Sequence, residues 1–325
     1  MFLKALRTLV VICIASAISA QVNPQAQGSG SRSGDWNIRA LIFTIARASV
    51  LHNPRANIFL SEDLQKKPHR LAEGFNPEWS PDGSKIAFAA DRGRDGRSEI
   101  FTINPDGSGK KQLTQGKDGT GASMPSWSPT GKKIAFVISR ESPRGPAIYS
   151  MGEDGTNPQF VAEGIDPQWS PDGSRLVFCR GSKGNPTLSS VWVANSDGSE
   201  AVAITDDSSV PLTPKWTKDG KIVFASNRND RWAIYRMNSD GSGLESLLYS
   251  KDSDFMWPTI SPDGEQLVVV ATQLADPHNV RGGARPGINL MDGAKLTIVA
   301  VELDGSHRSK TIAEGLHPSV LWGQK

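Results

Sequence analysis

The sequence predicts an all-β protein: a six-bladed β-propeller whose ring is closed by the C-terminal strand completing the first blade. Three observations lead to it. "NPEWSPDGSKIAF" at 76–88 recurs as "MPSWSPTGKKIAF" from Met124, "DPQWSPDGSRLVF" from Asp166, "TPKWTKDGKIVF" from Thr213 and "WPTISPDGEQLVV" from Trp257. The recurrence has a period: Pro77, Pro125, Pro167, Pro214 and Pro258 follow at steps of 48, 42, 47 and 44 residues, which is the spacing of propeller blades. Within each unit the apolar runs, such as "KIAFAA" and "EIFTIN", are short and bounded by Pro, Gly, Asp and Ser. Such lengths and boundaries suit strands rather than helices.

Each blade then reads as four strands. Strand A holds the Trp, strand B the "KIAF" run, strand C the "IFTI" run, and strand D lies near "LT". "SPDG" joins A to B: Pro sets φ at the second turn position, Asp bonds its own backbone and Gly closes the turn. An Asp-Gly pair recurs between C and D at Asp106, Asp154, Asp197, Asp240 and Asp304, a hairpin signal because Gly accepts positive φ. The motif is therefore architecture. Trp79, Trp127, Trp169 and Trp216 read as wedges between blades; in the unit starting at Trp257, Ile260 stands in the Trp position.

The count comes from the ends. Asn57–Gly74 matches the length and apolar positions of Glu99–Gly116, so it is a C–D pair, and Ile38–Ala46 is its strand B. His317–Trp322 is a strand A with nothing after it. Together they make one blade, and closure removes exposed sheet edges.

Before the repeats, Lys4 and Arg7 precede the apolar run "LVVICIASAISA", the layout of a signal peptide over 1–20. Residues 21–35 read as a flexible tether and 36–325 as the propeller. Without the leader the chain has 34 Lys+Arg against 34 Asp+Glu, no basic footprint for nucleic acid. One cysteine, Cys179, then remains, which excludes an internal disulfide. A soluble, exported monomer without membrane insertion is expected, periplasmic or secreted.

The pattern P-x-W-S-P-D-G, then K-I-A-F, then I-F/Y, D-G and L-T resembles the WD-like repeats of the TolB propeller family, over roughly Trp36 to Trp322. The resemblance implies a six-bladed propeller in the periplasm. It also implies a role in protein–protein interaction in the cell envelope, with a peptidoglycan-associated lipoprotein as the family's partner. The family carries an α/β domain ahead of its propeller; here only tether residues lie between the leader and Trp36, so a TolB-like propeller with its own partner is expected.

Chemistry is sparse. No nucleophile elbow, H-E-x-x-H or Walker loop occurs, so no enzyme activity, catalytic residue or metal site is expected. The histidines, His52, His69, His278, His307 and His317, read as scattered surface polar residues. Asp82, Asp172 and Asp263 are explained by their turns. The candidate site is the rim shared by the D–A and B–C connections, by analogy the ligand face of propellers. Asn76, Met124, Asp166, Thr213, Trp257 and His317 precede the strand-A prolines and are expected around the channel mouth; Arg92, Arg140 and Arg228 follow strand B in three blades. Trp, Met and Arg on one rim suit protein recognition. The alternative is a lactonase-like small-ligand-binding or hydrolytic propeller holding a divalent cation at the mouth through Asp166, His317 and Asn76. Trp257 is either turned outward or fills the missing wedge. The long B–C segment 274–294 of the last unit is a further candidate.

Overall fold

In a computed structural model the described residues are 38–46, 56–91, 97–116, 120–139, 145–182, 189–206, 209–273, 296–303 and 308–322. The leader, the tether, Arg92, Arg140, three of the histidines (His52, His278, His307) and the 274–294 segment lie outside them.

Among the described residues, twenty-four strands form six four-stranded antiparallel sheets. The first blade takes β1 (Ile38–Ala46), β2 (Ala56–Ser61) and β3 (His69–Glu73) from one end of the chain and β24 (Leu316–Trp322) from the other, in the order β24-β1-β2-β3. The second is β4 (Phe75–Trp79), β5 (Ile86–Asp91), β6 (Ser98–Ile103) and β7 (Lys111–Gln112). The third is β8 (Gly121–Trp127), β9 (Lys133–Ser139), β10 (Ala147–Gly152) and β11 (Gln159–Glu163); the fourth is β12 (Ile165–Trp169), β13 (Arg175–Gly181), β14 (Ser189–Asn195) and β15 (Val202–Ala203). The fifth is β16 (Pro211–Trp216), β17 (Lys221–Ser226), β18 (Ala233–Asn238) and β19 (Glu245–Leu248); the sixth is β20 (Ser253–Ile260), β21 (Gln266–Gln273), β22 (Leu296–Glu302) and β23 (Ser309–Glu314). Closure is by register: Ile38 faces Trp322, Leu41 faces Val320 and Thr44 faces Leu316.

Burial follows the pattern of a ring. Strand B of each blade is apolar along its length, as in Ile86–Ala90 and Leu176–Cys179, because both faces of each sheet pack on a neighbouring blade. Each strand-A Trp wedges against the preceding blade. Trp79 joins Ile42, Ile58 and Leu60, Trp127 joins Ala87 and Ile100, Trp169 joins Val137 and Ile148, and Trp216 packs on Val177 and Val193. A wedge of that size contributes roughly 4–6 kcal/mol of gross transfer free energy.

The turns do what their residues dictate. Gly83 N–H donates to Ser80 O at 2.9 Å, Ser80 Oγ and Ser84 N donate to Asp82 Oδ1 at 2.6 and 3.0 Å, and Gly83 sits at φ 71°. These donors hold the Asp82 carboxyl down at about 2. The same set surrounds Asp172, also at about 2. In the C–D turns glycine meets a second demand. A Cβ at Gly155 would lie 2.6 Å from Leu113 O, and one at Gly198 would run into Val161 O, so these hairpins lean on the blade before them.

Candidate functional site

A break in strand A repeats in every blade. The register shifts between Phe75 and Glu78, Ser123 and Ser126, Ile165 and Gln168, Leu212 and Lys215, and Met256 and Thr259, and in the first blade opposite Ile42/Thr44. The residue at each bulge is the one before the strand-A proline, and all six are left-handed: Asn76 (φ 49°), Met124 (53°), Asp166 (54°), Thr213 (47°), Trp257 (50°) and His317 (47°). The bulge bends the inner strand and re-aims one side chain per blade. A left-handed backbone favours Gly, Asn or Asp. His317, like Asn76 and Asp166, is a residue type enriched there, but Met, Thr and Trp at three of six positions are not what the backbone selects, and each costs on the order of 1 kcal/mol there.

Neighbours on this ring touch. Thr213 N–H donates to Asp166 Oδ2 at 3.2 Å. Burial pushes the Asp166 carboxyl up, opposed by that N–H and by Lys215. Cys179 lies behind it; its thiol donates to Pro211 O at 3.4 Å and is raised well above its usual value by burial and by Asp166. Trp257 and His317 stack edge to face. Two polar atoms on the ring, Thr213 Oγ1 and His317 Nδ1, are buried with no partner among the described residues.

Two expectations change here. His69 is exposed but His317 is not a surface polar residue: it is half-buried against Trp257, and burial lowers its imidazole to about 4. The reason is its bulge position, which turns the ring inward at the seam between the sixth and first blades. Arg228, a rim candidate, folds back over its own blade. Its guanidinium lies 5.0 Å from the Tyr235 ring and 5.4 Å from the Phe224 ring, with Nη2 buried and unpartnered among the described residues. The faces of two tilted rings, Phe224 and Tyr235, form a seat for the cation that sequence spacing does not reveal. Trp257 does not occupy the wedge position, which Ile260 holds. It packs instead on both core clusters flanking the sixth blade.

Two residues farther along strand A, past the proline, is a second ring that sequence reading passed over. Glu78 Oε2 accepts from Gln168 Nε2 at 3.2 Å and pairs with Lys215 Nζ at 3.4 Å, and Glu78 Oε1 accepts from Trp127 N–H at 3.4 Å. Glu78 and Lys215 belong to the second and fifth blades, opposite each other in a ring of six, so the pair spans the channel. The x of each P-x-W motif was the available signal. No group of three or more His, Cys, Asp or Glu among the described residues is arranged to hold a metal, and no helix there is long and apolar enough to cross a membrane.

Residues 156–281 match the family model described as the TolB beta propeller domain. The Protein TolB homolog of Chlorobium luteolum is 29% identical over 114 residues, 35% of this chain and 25% of that one. The uncharacterized peptidase YuxL of Bacillus subtilis is 28% identical over 112 residues, 33% of this chain and 17% of that one. The chain thus matches a quarter or less of these relatives' own length. The crystal structure of TolB from Acinetobacter baumannii superposes with a TM-score of 0.65 at 20% identity, covering 88% of this chain and 67% of that one, a likeness of fold. By its repeats and its closed ring the chain is a six-bladed β-propeller, similar over residues 156–281 to the TolB beta propeller domain.

Proposed function

We propose that this protein is an exported interaction module of the cell envelope and that a protein partner docks on the channel mouth ringed by the six bulge residues. One observation carries the reading: six closely similar left-handed backbones present six different side chains, three of them unsuited to that backbone. The left-handed bulge itself does not call for Met124, Thr213 or Trp257. Aromatic, sulfur and polar groups on one rim are the composition of a docking surface. The leader and the resemblance to the TolB family support the periplasm, and the family's lipoprotein partner is the first candidate. The matched peptidase relative keeps hydrolysis in view as the second reading.

The test is site-specific photocrosslinking in cells, with the crosslinker at Asn76 or Met124 on the rim and at Lys132 or Lys221 on the opposite face. A discrete adduct from the rim positions alone, in the periplasmic fraction, is expected. Adducts only from Lys132 or Lys221 overturn the assignment of the face, and a cytoplasmic protein overturns export.

A further inference from the structure

On the face away from the rim, the channel opens into a cavity of about 330 Å³, within the range of small-molecule sites. Its floor is the Glu78–Lys215 pair with Gln168, and its wall includes Trp216, Ile260, Val320 and Trp322. Ile260 and Val320 stand where four other blades carry the wedge Trp. Two side chains too small for the position thus border the space, and Trp322 closes its side.

We propose that this cavity binds a free α-amino acid with an apolar side chain. Glu78 and Lys215 are only 19% and 27% exposed, and enclosing a charge pair offers little stability over apolar packing. Its geometry is loose: one contact at 3.4 Å, with no other acceptor for Lys215 Nζ among the described residues. Lys215 has two N–H donors to spare. Glu78 Oε1 receives only a backbone N–H at 3.4 Å. Adjacent opposite charges match an ammonium and a carboxylate one carbon apart, the ligand's ammonium beside Glu78 and its carboxylate beside Lys215. The apolar side chain then lies on Trp322, Ile260 and Val320. The size holds one such molecule and not a folded partner, so the site is independent of the rim.

Calorimetry and thermal shift on the full chain test it, with leucine, methionine and phenylalanine against N-acetyl-leucine, leucinamide and glucose. At least one free amino acid is expected to bind saturably, with both blocked derivatives weaker by about thirtyfold or more, as for loss of one partner of an enclosed charge pair. Lys215→Met and Glu78→Gln should weaken binding similarly. Ile260→Trp restores the repeated wedge and fills the cavity; it should abolish binding while melting at or above the parent. No saturable signal from any free amino acid with the folded parent overturns the proposal. So does equal binding of a blocked derivative or of glucose, or binding retained in a folded Ile260→Trp.

Discussion

Trp257 and His317 meet edge to face, ring centroids 4.8 Å apart and planes at 74°, across the seam where the sixth blade meets the blade built from both ends of the chain. Both sit on left-handed backbone. The contact joins a rim residue to the core, because Trp257 packs on the clusters on either side of its blade. Rim and core are therefore not separable at this position.

It follows that Trp257→Ala is not a neutral probe of binding. A buried Trp truncated to Ala loses about 3–5 kcal/mol, and a half-buried one about half of that. A urea midpoint lowered by the equivalent of roughly 2 kcal/mol is expected. An unchanged midpoint would return Trp257 to the solvent side. Asn76→Asp, which keeps a residue suited to the left-handed backbone and removes no apolar packing, is the cleaner rim variant.

Closure by β24 gives a second expectation. Leu321 packs in the cluster between the first and second blades, Val320 and Trp322 in that between the sixth and first. A chain ending at Gly315 loses these contacts and bares the inner edge of β1. These side chains are half-buried, so each is worth about half of the roughly 1.5–3 kcal/mol of full burial, and with the β1–β24 ladder lost as well the sum is a large share of a domain's stability. Aggregation or a large fall in melting temperature should follow, read by light scattering and calorimetry; wild-type melting would refute the shared blade.

How much of this was legible in the sequence depended on what repeats. The blade count, the turns at Asp82 and Asp172 and the wedges at Trp79, Trp127 and Trp169 were written several times over, so local rules and periodicity agreed. The fate of Trp257, His317 and Arg228 was not, because each depends on neighbours brought from another blade or strand. Bulge geometry was half-visible: a residue before Pro is steered from helix, but nothing in "WP" or "HP" announces positive φ. The Glu78–Lys215 pair was hidden because it reaches across the channel between distant repeats, and the cavity because it is bordered by what Ile260 and Val320 lack.

The seam also sets a pH dependence. Burial holds the His317 imidazole at about 4, below its usual 6.5. The unfolded chain takes up a proton between those values that the fold refuses, so this group's contribution is intact above about pH 6.5 and is lost as pH falls toward 4, by up to about 3 kcal/mol. On the same rim, Asp166, raised by burial, acts in the opposite sense, since its protonation favours the fold. His317→Asn, which suits the left-handed backbone, should flatten the stability–pH curve between pH 6.5 and 4. If the parent and His317→Asn curves run parallel there, whatever slope Asp166 gives both, then His317 titrates as an exposed residue.

Thr213 offers the sharpest separation of stability from function. It is β-branched at φ 47°, an outlier for such a side chain, and its Oγ1 is buried without a partner among the described residues. Its backbone N–H, not its side chain, holds Asp166. Thr213→Asn keeps that bond and relieves the strain, so stability should rise by about 1 kcal/mol, or roughly 2–4 °C in melting temperature. If the rim is a docking surface, the same substitution should weaken partner capture, because the strained residue is retained for what it presents and not for the fold. A rise in melting temperature with undiminished crosslinking at Met124 would make Thr213 a tolerated defect. A fall in melting temperature would show that the hydroxyl has a structural partner, most directly a bound water at the channel mouth.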